Sequence, residues 1–315
     1  MGGKVLVVGS LNADLVVRTE RIPGPGETVT GSDLVIVPGG KGSNQAAAAG
    51  KLGGDVAMLG CVGDDDNGRM LTDSLKASGV DVSGVTTLAG VSTGSALIVV
   101  DAKGENCIVV SPGANGKLSV DDITGATDFF AAADESSVLT LCLEVSLDVV
   151  KAAAAAAREQ GATVLLNVSP FAKIGADVLD LVDILVVNAH ELADLTEQPD
   201  FEPHGDWTQV VESTRATLGD SGPDRVVVTL GGDGARTFLL STGEVSDPVP
   251  APTITAVDTT GAGDAFLASF AFRLAAGDEV LDAIALAVRV GAYAATGEGA
   301  QNSYPSAEQL ANWTP

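Results

Sequence analysis

The sequence predicts an α/β fold: a doubly wound, mostly parallel central sheet flanked by helices, with a small β-sheet projecting from it as a lid. Three observations carry this. Short, continuous β-branched runs recur along the chain, helical stretches separate them, and two segments punctuated by Pro and Gly show no helical period. With 315 residues, 45% of them hydrophobic and 19% charged, the chain can bury a large core. Residues 1–315 read as one unit into which the lid segments are inserted.

The first run, 4-KVLVVGS-10, is β-branched and ended by glycine, as expected of a strand buried on both faces of a parallel sheet. The same pattern returns at 56-VAMLGCVG-63, 138-VLTLCLE-144, 163-TVLLNVS-169, 184-ILVVN-188 and 226-VVVTLG-231. Among the helices between them, 146-SLDVVKAAAAAAREQG-161 has a serine cap and a glycine stop, and its six alanines at 152–157 favour helix strongly. The β-rich segments span residues 14–40 and 93–115. The second reads as a hairpin turning at 101-DAKGEN-106, and the two together are expected to pair into the lid.

Forty-two acidic residues against 17 basic ones give a formal net charge of −25. Such a surface argues against nucleic acid and against anionic membranes as partners. The acid excess runs along the whole chain and resembles the surfaces of proteins from salt-saturated cytoplasm, where a Debye length of about 3 Å quenches self-repulsion. No apolar run reaches membrane-spanning length and no leader-like segment opens the chain, so a cytoplasmic location is expected. Cys61, Cys107 and Cys142 lie singly in or beside apolar stretches and read as buried, reduced thiols. His190 and His204, the two histidines, leave little room for a His-rich metal centre or a Ser-His-Asp triad.

Chemistry concentrates in 258-DTTGAGDAF-266. Its glycines allow close backbone approach, and the apolar run that follows reads as a buried helix whose first N–H groups form an anion site. Asp264 then stands in the first turn, where the helix dipole stabilises negative charge. An Asp cap on an ordinary buried helix would leave the same trace, and these residues alone do not choose between the two. A carboxylate beside a phosphate cradle can take the proton of an attacking hydroxyl. No G-x-x-x-x-G-K-[ST] loop is present. The stretch 229-TLGGDG-234 reads as a common strand-to-strand turn or as a second phosphate- or ribose-contacting loop. In 9-GSLNAD-14, Asn12 and Asp14 can donate to and accept from vicinal hydroxyls, and 39-GGKGSNQAAAA-49 adds Lys41 and Asn44 at a helix start; together they read as a polyol site.

These pieces carry a resemblance. GSLNAD at 9–14, PGETVTG at 25–31, PGGKGSNQAAA at 38–48, STGSALI at 92–98, GEN at 104–106, PGAN at 112–115, LE at 143–144, N-x-x-E at 188–191, TLGGDG at 229–234, DTTGAGDAF at 258–266 and GAQNS at 299–303 occur in this order. The chain is similar to the ribokinase-like (pfkB) carbohydrate kinases, and to the ribokinases among them. The resemblance implies Asp264 as general base and the backbone of Gly261, Ala262 and Gly263 as an anion hole for the transferred phosphoryl group. It implies sugar contacts at Asn12, Asp14, Gly40, Lys41, Asn44 and Glu144. ATP contacts are implied at Asn188, Thr229, Gly231, Gly232, Gly234 and Gly263, with Glu191 organising Mg²⁺ through water. An activating K⁺ is implied at Asp258, Thr260, Ala294, Gly297, Gly299 and Ser303, and a homodimer through the lid. Val288 departs from the pattern, standing where relatives often have Asn or His near the nucleotide, and 297-GEG-299 replaces a more basic stretch.

The activity so implied is transfer of the γ-phosphoryl group to the 5-hydroxyl of a ribose-type pentose. Ribose 1-phosphate and nucleosides are the competing acceptors. Glu144, placed near the anomeric end as the resemblance implies, should repel a C1 phosphate unless Lys41 or Arg69 offsets it. A non-catalytic sugar-binding protein would be expected to have lost the base or the anion hole, and Asp264, Gly261 and Gly263 are all retained.

Overall fold

The structure, a computed structural model, describes residues 2–198, 205–219 and 222–315; His204 lies outside them. Twelve strands are named within these residues: β1 Val5–Val8, β2 Asn12–Arg18, β3 Val35–Gly39, β4 Val56–Gly63, β5 Val80–Leu88, β6 Gly94–Val100, β7 Asn106–Ser111, β8 Val138–Leu141, β9 Thr163–Asn167, β10 Ile184–Asn188, β11 Arg225–Thr229 and β12 Ala235–Leu239. Eight of them form the central sheet in the order β12-β11-β10-β9-β8-β1-β4-β5. Every neighbouring pair is parallel except β11 with β12.

Central strands without polar alternation are buried on both faces, and side chains of β1 divide accordingly. Val5 and Val7 join one core layer with Ala46–Ala49 of the helix Lys41–Lys51 and with Phe266 and Phe270 of the helix Ala262–Ala275. Leu6 and Val8 join the opposite layer, with Ala153 and Ala157 of the helix Leu147–Glu159 and Trp207 of the helix Trp207–Leu218. The helix Ala262–Ala275 is packed between β1, β8 and the helices Lys41–Lys51 and Val280–Ala294, which explains why its sequence is apolar almost all round. The helix Leu147–Glu159 begins as its sequence suggests, with Ser146 Oγ accepting from Val149 N at 3.4 Å.

The two β-rich segments form a separate four-stranded sheet, β3-β2-β6-β7, with β6 and β7 as the expected hairpin. Residues paired across strands share a face. Asp14, Val16, Val37, Ile98 and Ile108 line a cavity of about 290 Å³ facing Asp258, Thr260 and Gly299 of the main body. Leu15, Ile36, Leu97 and Val109 lie on the other face, where Ile36, Leu97 and Val109 remain 44, 50 and 60% exposed.

One expectation about the cysteines is corrected. Cys61 and Cys142 are buried, and burial pushes their thiols up to about 11 and about 12 respectively. Cys107 is exposed, because it sits on β7 at the edge of the small sheet, where an apolar strand has no layer above it. Among the described residues no helix is long and apolar enough to cross a membrane.

Candidate active site

The carboxyl ends of the central strands carry the loops on which functional residues meet, the usual ligand position in an open α/β sheet. β1 ends at Val8, and after three intervening residues the chain enters β2 at Asn12, so Asn12 and Asp14 arise from the junction of the two sheets. Gly40 takes φ +89 there, and a Cβ on it would lie 2.6 Å from Asn12 N. The position is closed to any other residue on both counts. Gly39 clears room in the same way, because a Cβ on it would collide with the Asp14 carboxylate.

The start of the helix Lys41–Lys51 has no cap from its own chain segment. Glu144, just past β8, supplies one: its Oε2 accepts from Lys41 N at 3.0 Å and from Ser10 Oγ. One oxygen of this implied sugar ligand is thus held by the scaffold. Asn12 is oriented by Asn115, whose Nδ2 donates to Asn12 Oδ1 at 2.8 Å while its Oδ1 accepts from Leu11 N at 2.9 Å. The amide NH₂ of Asn12 is then the end free for a ligand.

Asp264 is 7% exposed, and neither of its oxygens caps its own helix. Oδ2 accepts from Asn44 Nδ2 at 2.9 Å and Oδ1 from Gln45 Nε2 at 3.4 Å, both from the helix Lys41–Lys51. The ordinary capping reading of Asp264 is thereby set aside. The N-cap is Gly261 at φ +74, where a Cβ would collide with Tyr304 Oη and lie 2.6 Å from Ala300 Cβ. Ala262 N is turned back on the Thr259 carbonyl at 3.1 Å, whereas the N–H groups of Gly261 and Gly263 make no hydrogen bond among the described residues. A Cβ on Gly263 would meet nothing within 4 Å, so its backbone borders open space.

Burial pushes the Asp264 carboxyl up, against the opposing pull of the Lys41 ammonium and the Asn44 amide. Asp14 is raised to about 7 by burial first, then by the charges of Glu144 and Asp264. Burial alone would lower Lys41, but Asp264 and Glu144 outweigh it and hold the ammonium protonated above its ordinary value.

A cleft of about 230 Å³ is lined by Lys41, Asn188, Glu191, Thr229, Gly261, Gly263 and Asp264, among others. Thr229 and Gly263 also border a neighbouring cavity of about 450 Å³ that holds Gly231, Gly232, Gly234, Pro252, Ile254, Phe266 and Val288. The turn 229-TLGGDG-234 joins β11 to the antiparallel β12, so it is a strand-to-strand turn and a cavity wall at once. Asn188 and Glu191 form a reciprocal capping box on the helix Ala189–Thr196, with both hydrogen bonds at 2.8 Å. Asp258 accepts from Thr260 N at 2.9 Å and from Gly299 N at 3.0 Å, so its two oxygens tie its own loop to the stretch that runs from Ala294, the last residue of the helix Val280–Ala294, through Gly297 to Ser303. Burial alone would raise the Asp258 carboxyl, but these hydrogen bonds outweigh it and hold the group below its ordinary value. Arg69 is elsewhere, on the exposed face of the helix Asp66–Ala77, paired with Asp64 and Asp66. A larger cavity, about 700 Å³, opens beside β4 and β5 near Lys4, Asp81 and Asp128 and holds none of these residues. Sequence reasoning missed Ser10, Gln45, Asn115, Gln301 and Tyr304 as site residues, although the motifs that carry the resemblance contain four of them.

An α/β body with a separate small sheet, and a buried carboxylate beside a glycine turn and a lysine, define a phosphotransferase class of site. The chain belongs to the pfkB family of carbohydrate kinases: the model described as "pfkB family carbohydrate kinase" matches residues 3–307. It is 36% identical over 312 residues to the ribokinase of Schizosaccharomyces pombe, covering 96% of this chain and 95% of that one. A deoxyribokinase of Salmonella typhi is also 36% identical, over 308 residues and 97% of each chain. The structure of Arabidopsis thaliana ribokinase complexed with ribose and ATP superposes with a TM-score of 0.86 at 29% identity, covering both chains entirely.

Proposed function

We propose that this chain transfers the γ-phosphoryl group of ATP to the 5-hydroxyl of ribose. The observation that carries the reading is the buried Asp264 carboxylate, in a cleft with Lys41 and the open Gly263 backbone and beside a cavity of about 450 Å³. Asp264 takes the proton of the hydroxyl as its oxygen forms the bond to the γ-phosphorus, and the bond to the ADP oxygen breaks. The N–H groups of Gly261 and Gly263 and the Lys41 ammonium face the oxygens of the group in transit. The Ala262 amide serves the turn itself.

Asn12, Asp14, Asn44 and the remaining oxygen of Glu144 would hold the sugar hydroxyls, with Gly40 giving the backbone room to pass. Asn188, Thr229, Gly231, Gly232 and Gly234 would border the nucleotide. Among the described residues no group of three or more His, Cys, Asp and Glu forms a metal cage; Glu191, at the cleft, would meet Mg²⁺ that is otherwise held by nucleotide phosphates. When bound, that ion offsets charge on the phosphates. The loops of Asp258, Thr260, Ala294, Gly297, Gly299 and Ser303 offer only oxygen donors of the kind K⁺ takes, and a cation there would brace the turn before Asp264. The small sheet would act as a lid and as the contact of a homodimer, and the acidic surface supports a halophilic, cytoplasmic setting.

A deoxyribokinase at equal identity makes 2-deoxyribose the second acceptor to test. Ribose 1-phosphate is less well served, since Asp14 and Glu144 are anionic and Arg69 is committed elsewhere. ATP consumption measured with ribose, 2-deoxyribose, ribose 1-phosphate and nucleosides in molar KCl checks the reading. Ribose is expected to give the highest kcat/KM, and no turnover with any of them would overturn it.

A further inference from the structure

Gln301 is buried in the turn Gln301–Ser303, outside every role assigned above, yet its side chain joins a hydrogen-bond chain that ends on Asp264. The direction of that chain can be worked out from its ends. Ser43 Oγ has a single hydrogen, and 2.5 Å away stands the Gly39 carbonyl oxygen, which can only accept. Towards Gln301 the same Ser43 oxygen must therefore accept, and the group it meets at 3.1 Å is the Gln301 NH₂. The second hydrogen of that NH₂ reaches Asn44 Oδ1 at 3.2 Å. At the other end of the Gln301 amide, Ser74 Oγ donates to Oε1 at 2.9 Å. With its oxygen thus engaged, Asn44 turns its NH₂ to Asp264 Oδ2. An Asn44 amide in the opposite sense would put a lone pair against the carboxylate at the same 2.9 Å.

We propose that Gln301 is a positioning residue for phosphoryl transfer: it fixes the polarity of the chain from Ser74 and Gly39 through Asn44, so that a donor always meets Oδ2 of Asp264. Oδ1, whose one hydrogen bond among the described residues is the 3.4 Å approach of Gln45, stays the more available oxygen for the sugar's proton. The inference rests on the reading of Asp264 as the base. The charged or titratable groups that face Asp264 are Lys41, Glu144, Asp14, Cys142 and Tyr304, and none is a member of the chain.

The test uses Gln301→Met, which keeps length and removes polarity, and Ser74→Ala, at a partly buried position of the helix Asp66–Ala77. For each, kcat and the ribose KM are measured across pH. A donor no longer held on Oδ2 raises the carboxyl, so on the acid limb of its pH profile kcat of Gln301→Met should fall about three- to tenfold, with ribose KM within about twofold. The acid limb of kcat should move up by about half to one pH unit, so that activity recovers at alkaline pH. Ser74→Ala should move it the same way by less. A kcat lowered equally at every pH, or an unmoved limb in both variants, overturns the proposal and leaves Gln301 a packing residue. If Gln301→Met does not fold, an unmoved limb in Ser74→Ala overturns it alone. Asp264→Asn separates the two layers: should it retain turnover, the base reading fails first; should it lose turnover while both variants keep the native profile, only the positioning role fails.

Discussion

At Asp264 a burial cost is accepted at a helix start where ordinary capping would be cheaper, and Asn44, Gln45 and Lys41 are what hold the carboxylate there. Asp264→Asn keeps the shape and removes the base, so turnover should fall about 10²–10⁴-fold while sugar binding, followed by calorimetry, persists. Asp14 sets a pH dependence. Its folded value of about 7 lies above its ordinary 3.8, so between those values the folded chain keeps a proton that the unfolded chain has lost. Its contribution to stability therefore declines as pH rises through that window. Its capacity to accept from sugar hydroxyls grows as the folded carboxyl ionises near 7, so ribose KM should drop as pH passes about 7. Asp14→Asn should flatten that profile; an unchanged slope would remove the assignment. Asp264, Lys41 and Asn44 were legible in the sequence because glycines and a helix start mark them locally. Gln45, Asn115 and Gln301 were not, because their partners come from 219, 103 and 257 residues away, and no local pattern records such a meeting.

Among the elements, the six central strands stood out because burial on both faces leaves unbroken apolar runs. β5 and β12 escaped notice as the two edges of the sheet, where polar residues alternate with apolar ones and the period weakens. The small sheet was legible from Pro, Gly and β-branched content, but which of its faces points outward is a matter of register. Register puts Ile98 over the cavity and Ile36 with Leu97 outside. In the proposed homodimer a second copy would cover that outer face. Ile36→Asp and Leu97→Asp should therefore split a dimer and raise ribose KM together, by about three- to tenfold, the effect of losing roughly 1 kcal/mol of ordering. Light scattering that gives the mass of one chain in molar KCl, with full activity, would sink this arrangement.

For the whole molecule, a net charge of −25 makes salt part of the fold's energetics. Stability and turnover should rise together with KCl as self-repulsion is screened. Replacing KCl by NaCl at equal ionic strength separates screening from a cation at the Asp258 loops: a lower turnover in NaCl is expected, and equal turnover would remove the specific site while leaving the charge argument intact. The junction of the two sheets has a kinetic side as well. Asn12 and Asp14 belong to β2, a strand of the small sheet, not to the body that carries Asp264. Were the small sheet to swing as a lid, it would take Asn12 and Asp14 with it, so that capture of the sugar and closure would become one step, and so would reopening and product departure. Solvent viscosity should then slow kcat, with a burst of product in the first turnover marking the exit as the slow passage.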